Sequence, residues 1–271
     1  MKRSVRVCVM MQTLISHPNT DFPLSYFAEK FDCAKSSISE DLKVIKEALE
    51  IQETGTIVTN IGAKGGVRFI PSISKAQVLS FLEYAQARFS EADRTLGSGF
   101  LYISDIMFDP KFAEGAGRVF AKRFEKLGAD LVITVETKGV AVAEYTAQML
   151  GIPLVVVRRE PKVTDGSSVS INYFSGSSDR IQKMSLSKRA VKPGSKAIII
   201  DDFIRGGGSI NGLCDMLAEF DSEAVAAGIV LAVDNAKHDR VKDFFSLLTL
   251  DSVELSKGFC VVNISKEGFS L

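Results

Sequence analysis

The sequence lacks a surplus of charge of either sign: 33 Lys and Arg balance 33 Asp and Glu over 271 residues. Such a chain is not a general binder of polyanions, and a nucleic-acid partner would need basic residues gathered on one surface. Histidine is scarce, with only His17 and His238, which leaves little for a histidine-dependent triad. The four cysteines, Cys8, Cys33, Cys214 and Cys260, stand far apart. No two have metal-ligand spacing, so neither a structural zinc site nor a disulfide framework is expected. Scattered single thiols suit a reducing compartment. No apolar run is long enough to span a bilayer. The opening "MKRSVRVCVMMQTLIS" has a basic tip and an apolar body, but Arg6 and Gln12 interrupt it and no small-residue cleavage pattern follows. The expected location is therefore cytoplasmic, with no membrane partner.

What is present is ordinary globular composition, 46% hydrophobic and 24% charged, at a length that suits two modest domains. Val5, Cys8, Val9 and Ile15 predict one face of a first helix, which "HPNTDFP" ends. Leu24, Phe27, Ala28 and Phe31 make the stripe of a second. Ile38, Leu42, Ile45 and Leu49 line a third, with Ser37 and Glu40 at capping-box spacing and Ser36 as an alternative cap. "TIVTN" and "VRFI" then flank a glycine-rich tip, a hairpin signature. Three short helices and a hairpin in this order predict a winged helix-turn-helix over residues 1–73.

From residue 74 to 271 the pattern changes. A long helix with Val78, Leu82, Ala85 and Phe89 on one face leads into "LYISDI", read as a strand. Helices then alternate with the apolar strands "ADLVITVE", "PLVVVRRE", "AIIIDD" and "EAVAAGIVLAVDN". That alternation predicts an α/β domain with a parallel sheet and helices on both faces. Residues 160–190 break the rhythm with Ser, Thr and charge. "SVSINYF" and "RIQKMSL" there could pair as a hairpin, either a mobile loop near a ligand site or a plain surface loop.

The segment "AIIIDDFIRGGGSI", residues 197–210, carries the chemistry. A buried strand ends in Asp201 and Asp202. Phe203, Ile204 and Arg205 follow, then Gly206, Gly207, Gly208 and Ser209 at the start of a helix. Ligands of open α/β sheets bind beyond the carboxyl ends of strands. Glycines let backbone N–H groups approach an anion, and a helix N-terminus adds unsatisfied donors and a favourable dipole. Two carboxylates beside such a cradle suit the neighbouring hydroxyls of a ribose. A Walker loop is excluded, because no Lys precedes Ser209. The Rossmann fingerprint fails because Asn211 stands at its third glycine.

This segment resembles the phosphoribosyl pyrophosphate (PRPP) motif of type I phosphoribosyltransferases. The resemblance implies that Asp201 and Asp202 hold the ribose hydroxyls and that the stretch from Arg205 to Ser209 holds the 5-phosphate. Purine-type members stack the base on aromatic or aliphatic residues, a role the resemblance would give to Phe203, within the same motif, or to Tyr173. "VITVETKG" resembles the pyrophosphate loop of the purine-type members, with Lys138 and Gly139 facing the pyrophosphate or its magnesium. "VRREPKVTDGSS" corresponds to the flexible loop. With a winged helix in front, the chain resembles the purine operon repressors of Gram-positive bacteria through "AKSSISEDL", "GGV", "SGSSDRIQKMSLSKR" and "DDFIRGGGS". As a family resemblance this implies a homodimer that binds a double-stranded DNA operator. PRPP would relieve repression, with or without magnesium, and purine nucleotides would oppose it. It implies no required cofactor, no protein-held metal and no catalytic residue.

Lys35, Ser36, Ser37, Ser39 and Lys43 at the start of the third helix are the expected DNA contacts. Lys64, Gly65, Gly66 and Arg68 would add a narrow basic wing, and Lys2 and Arg3 the N-terminus. Glu40 and Asp41 would repel DNA if they faced it. Two other readings are an active purine phosphoribosyltransferase with an accessory domain and a DNA-binding scaffold with an empty α/β domain.

Overall fold

The computed structural model describes residues 1–271 except 61–65, 92–93, 97–99, 162–163, 165, 176–179, 234–239, 255–258 and 267–271. The chain divides into two compact units, Met1–Ser74 (with Gln148–Gly151) and Lys75–Ala147 with Ile152–Leu271. Among the described residues no helix is long and apolar enough to cross a membrane.

The first unit holds helices α1 (Arg3–Ser16), α2 (Leu24–Phe31) and α3 (Lys35–Gln52). Strands β1 (Phe22–Pro23), β2 (Gly55–Thr59) and β3 (Gly66–Pro71) form a small sheet in the order β1-β3-β2. This is a winged helix. Phe27 and Phe31 of α2 stack on one another and join Ile38, Ile45 and Leu49 of α3 in one core with Val67 and Phe69 of the wing. Burying a side chain such as Phe27 contributes roughly 2–3 kcal/mol.

Two local expectations are corrected here. Helix α1 buries Met10 and Leu14, whereas Val5, Cys8 and Ile15 face solvent and Val9 is only partly covered. Apolar residues surround this helix almost completely, so periodicity alone could not choose its inner face. The third helix begins at Lys35 with Ala34 as its N-cap and no side-chain cap. Ser36 and Ser37 therefore lie inside its first turn, and the capping box does not form. Both α2 and α3 end on a residue in the left-handed region, Asp32 at φ 49° and Glu53 at φ 52°, which closes the helix through backbone bonds to the last turn.

The second unit begins with α4 (Lys75–Phe89), which buries Val78, Leu82, Ala85 and Phe89. Strands β4 (Thr95–Leu96) and β5 (Phe100–Leu101) pair antiparallel. Residues 104–106, read from sequence as part of a strand, belong instead to the helical turn α5 (Ser104–Met107). Its Ile106 and Met107 are both buried, which one turn of helix allows and an alternating strand does not. The guanidinium of Arg94, itself buried, bonds both carboxylate oxygens of Asp105 and the carbonyl of Tyr102. It thereby clamps this segment to the domain. Helix α6 (Pro110–Phe124) starts with Asp109 capping Lys111 N–H at 2.9 Å and Pro110 in its first turn.

The main sheet is built from β6 (Leu131–Val135), β7 (Leu154–Val157), β10 (Lys196–Ile204), β11 (Glu223–Val233), β12 (Asp243–Glu254) and β13 (Phe259–Ile264). Its order is β13-β12-β11-β10-β6-β7, and all pairs are parallel except β12 with β13. Strands β12 and β13 extend the sheet past the four strands read from sequence. Helix α7 (Val140–Leu150) joins β6 to β7, and α8 (Gly208–Ala218) joins β10 to β11. Side chains alternate across the sheet. Ile133, Val135 and Ile199 meet Leu213 and Leu217 of α8 on one face, while Phe120 of α6 and Ile200 meet over Gly228 on the other.

Within residues 160–190, β8 (Ser168–Ser175) pairs antiparallel with β9 (Arg180–Ser187), as expected for a hairpin. Arg158 and Ser185 exchange both backbone hydrogen bonds, which ties the hairpin to the end of β7. It also packs on α8. A Cβ at Gly212 would lie 3.0 Å from the ring of Tyr173 and 3.1 Å from Met184 Sδ.

Candidate functional site

Strand order locates the site. From β6 the chain moves outward to β7, whereas from β10 it moves the other way to β11 and β12. The sheet therefore changes direction between β6 and β10, and ligands of open α/β sheets bind in the crevice beyond such a switch point. A cavity of about 320 Å³ opens there, within the size range of small-molecule sites.

Asp201 and Asp202 from β10 line it, followed by Phe203, Arg205, Gly206, Gly207, Gly208 and Ser209. Gly207 is the N-cap of α8 at φ 74°, a left-handed conformation that disfavours any side chain. The turn places the first residues of α8 along the cavity, where an anion would meet unsatisfied N–H groups and the positive end of the helix. Glu136, Thr137 and Lys138, at the end of β6, form the opposite wall. Gly139 does not line the cavity but backs it. A Cβ there would stand 2.8 Å from Thr134 Oγ1 and 3.3 Å from Asp201 Cα. Only glycine lets the β6–α7 loop approach β10 this closely. The structure thus brings together Asp201, Asp202, Phe203, the 205–209 loop and Lys138, with Gly139 as the packing contact behind them.

The electrostatics are those of a site built for a partner. Asp201 is buried, and burial pushes its carboxyl well above the usual carboxylate range. The neighbouring Asp202 adds to the rise, and Arg159 opposes it. One Asp201 oxygen accepts the Asp202 backbone N–H at 2.9 Å. Hydroxyl donors on both carboxylates would relieve the cost of ionising the pair. Lys138, Arg159 and Arg205 line the same cavity and supply positive charge, as a multiply charged anion requires.

Of the other lining residues, the sequence picks out Tyr173, with Phe203, as a base-stacking candidate, but not Arg159, Leu101 or Ile103. Arg159 lies just beyond β7 and donates its backbone N–H to Glu136 Oε1 at 2.8 Å. The strand-end rule could have found it, because β7 is parallel to β6 and ends at the same edge. Tyr173 comes from the hairpin and is almost fully buried. Burial pushes its hydroxyl up, with Arg159 pulling the other way, so it stays a neutral donor, bonded to Gln182 at 2.7 Å. Leu101 and Ile103 add apolar surface. No local pattern marks Leu101 and Ile103.

In the first unit Lys35, Ser36, Ser39 and Lys43 are exposed on α3, and Ser37 is half-buried. Lys2 is exposed at the start of α1. Gly66 is buried instead of standing at a free tip: a Cβ there would lie 2.9 Å from the Phe22 carbonyl oxygen. Arg68 forms an ion pair with Asp21 at 3.6 Å. Gly66 serves the pairing of β3 with β1, Arg68 stays partly exposed beside Asp21, and Lys64 and Gly65 lie outside the described residues. Asp41 turns inward, fully buried, and accepts bonds from Arg3 and Arg6. It does not face DNA as a bare charge.

A winged helix followed by a parallel sheet with a glycine-rich loop and paired acids at its switch point defines the class: a DNA-binding unit fused to a type I phosphoribosyltransferase-like domain. Residues 2–71 match the family model described as bacterial purine repressor, N-terminal, and residues 104–262 the phosphoribosyl transferase domain. The chain is 46% identical to the probable purine biosynthesis transcriptional regulator of Streptococcus pneumoniae, over 94% of this chain and 93% of that protein. It is 41% identical to the purine biosynthesis transcriptional repressor of Bacillus subtilis, over 94% and 90%, and 38% identical to the activator of that name in Lactococcus lactis, over 94% and 94%. Among solved structures, adenine phosphoribosyltransferase from Thermoanaerobacter pseudethanolicus superposes with a TM-score of 0.52 at 21% identity, covering 62% of this chain and 99% of that one. This last likeness shows the fold alone. The chain belongs to the family of bacterial purine biosynthesis transcriptional regulators.

Proposed function

We propose that the chain is a PRPP sensor that controls transcription of purine biosynthesis genes, the winged helix holding operator DNA and the cavity reading PRPP. The observation that carries this reading is the pair Asp201 and Asp202 beside the glycine cradle of α8. The two carboxylates take the vicinal ribose hydroxyls. The Gly206–Ser209 amides and the α8 dipole take the 5-phosphate, and Lys138 with Arg159 the pyrophosphate. Among the described residues no group of three His, Cys, Asp or Glu could hold a metal ion, so magnesium would enter with the ligand, held mainly by its phosphate oxygens. Purine nucleotides share the ribose phosphate and compete for the same cradle. The protein works as a homodimer on a two-fold related operator. PRPP lowers DNA affinity because it binds the DNA-releasing conformation more tightly, as linkage demands. Names of both signs among the relatives leave repression and activation as two outputs of one switch; repression is our assignment. Calorimetry with PRPP and magnesium tests the site, with saturable binding expected and lost in Asp201→Asn. Absence of heat and of thermal stabilisation would leave the domain an empty scaffold.

A second reading, an active transferase, is favoured by Leu101, Ile103 and Tyr173, which give the cavity an apolar wall where a flat base could stack. Incubation with PRPP and each common nucleobase separates the two. The sensor reading expects no nucleotide formation at an enzyme-like rate.

A further inference from the structure

Asp41 sits on the third helix of a DNA-binding unit, where a carboxylate should be a liability, yet its side chain is completely buried. Two arginines of α1 reach it. Arg3 Nε lies 2.9 Å from Oδ1 and Arg6 Nε 2.5 Å from Oδ2. Each arginine spends only its Nε edge. Among the described residues, neither makes a further side-chain hydrogen bond through its terminal nitrogens. The Arg3 side chain keeps 59% of its surface in solvent and Arg6 13%. Two cations on one anion leave the cluster with a net positive charge.

The place is as telling as the charge. Asp41 shares a strip of α3 with Ser37, one turn earlier, and Val44, one turn later. That strip borders the exposed face of Ser36, Glu40 and Lys43. The N-terminus of α1 thus delivers its guanidiniums to the flank of the helix that carries the expected base contacts. Burial alone would raise the Asp41 carboxyl, but the Arg6 and Arg3 hydrogen bonds hold it below its ordinary value. It is an anion at any pH at which the protein works.

We infer that Asp41 is a positioning residue for DNA binding: it fixes Arg3 and Arg6 by their Nε edges so that their outer nitrogens form a clamp for the phosphodiester backbone of the duplex. This rests on the DNA-binding reading of the winged helix. A guanidinium held in place loses less side-chain freedom when it meets a phosphate, and its two Nη groups match the geometry of two phosphate oxygens. A buried acid therefore strengthens binding to a polyanion, against the sign expected from net charge.

The opposite signs expected for adjacent carboxylates make the test. Fluorescence anisotropy would follow a labelled duplex from the upstream region of a purine biosynthesis gene, titrated with the full-length protein over a range of salt. Glu40→Gln removes an exposed acid and should tighten binding. Asp41→Asn removes an acid too, yet should weaken binding several-fold in protein whose circular dichroism spectrum matches the wild type. Arg3→Gln should weaken it about tenfold and make the plot of log K against log salt shallower by about 0.9, one phosphate contact. Arg3→Lys should keep the slope but recover only part of the affinity. If Asp41→Asn does not fold, the two Arg3 variants decide, since Arg3 lies largely in solvent. Unchanged or tighter binding by folded Asp41→Asn, or an unchanged salt slope in Arg3→Gln, would overturn the clamp and leave the winged-helix reading standing. Failure of the wild type to bind any duplex would sink both.

Discussion

Among the described residues, Asp41 at 0% exposure and Asp201 at 6% are the aspartates hidden from solvent, and their surroundings shift their carboxyls in opposite directions. Burial penalises ionisation of both. Asp41 overcomes it because Arg3 and Arg6 are already in place. Asp201 does not, because its near neighbour is another acid. A structural carboxylate carries its counter-charge within the fold, whereas a binding carboxylate is held in tension until a ligand supplies donors. The contrast separates a completed network from a site without any appeal to motif.

The sharpest way to break the contrast is to neutralise each acid in turn. Asp201→Asn should cost PRPP affinity on the order of a hundredfold, the loss of charge-assisted hydrogen bonds to ribose hydroxyls. It should also raise the melting temperature of the ligand-free protein, because a buried charge is removed. Calorimetry and a thermal melt on one preparation read both effects, and a lower melting temperature would mean that Asp201 is structural. Asp41→Asn should do the reverse, lowering stability by roughly 1–3 kcal/mol with PRPP affinity unchanged.

A smaller effect follows for the cradle. Gly207→Ala places a side chain at φ 74°, which costs about 1–2 kcal/mol. PRPP binding should weaken as α8 shifts its first turn, while DNA binding without PRPP stays as it was. Equal loss of both would show a general folding defect.

The smallest effect is in pH. The folded pKa of Asp41 lies below its unfolded value of ~3.9. Its stabilisation is therefore full above that value and is lost as pH falls through the folded one. For Asp201 the folded pKa lies above the unfolded one. Its carboxyl costs nothing below ~3.9 and subtracts stability as pH rises toward the folded value. Acid unfolding curves of the two Asn variants should diverge from wild type on opposite sides of that window.

How much of this could be read from sequence depends on how local the chemistry is. The 197–210 segment was legible because strand, acids, glycines and helix start are contiguous. The inner face of α3 was legible because Ile38, Leu42, Ile45 and Leu49 form one stripe with polar residues around it. Helix α1 was not, with Val5, Val7, Val9, Met10, Met11, Leu14 and Ile15 spread over its circumference. Arg159 and Tyr173 reach the cavity from β7 and the β8–β9 hairpin, and only strand order brings them beside Asp201. The inward turn of Asp41 needed the packing of α1 on α3, which no spacing encodes.

If the cavity reads PRPP, the acids and glycine loop of the α/β domain govern what the winged helix does. The most direct measurement is a DNA titration against a purine biosynthesis control region, with and without saturating PRPP and magnesium, for the wild type and Asp201→Asn. Wild-type binding should be tight and released by PRPP, and Asp201→Asn binding equally tight and no longer released. Wild-type affinity unmoved by saturating PRPP would contradict that control.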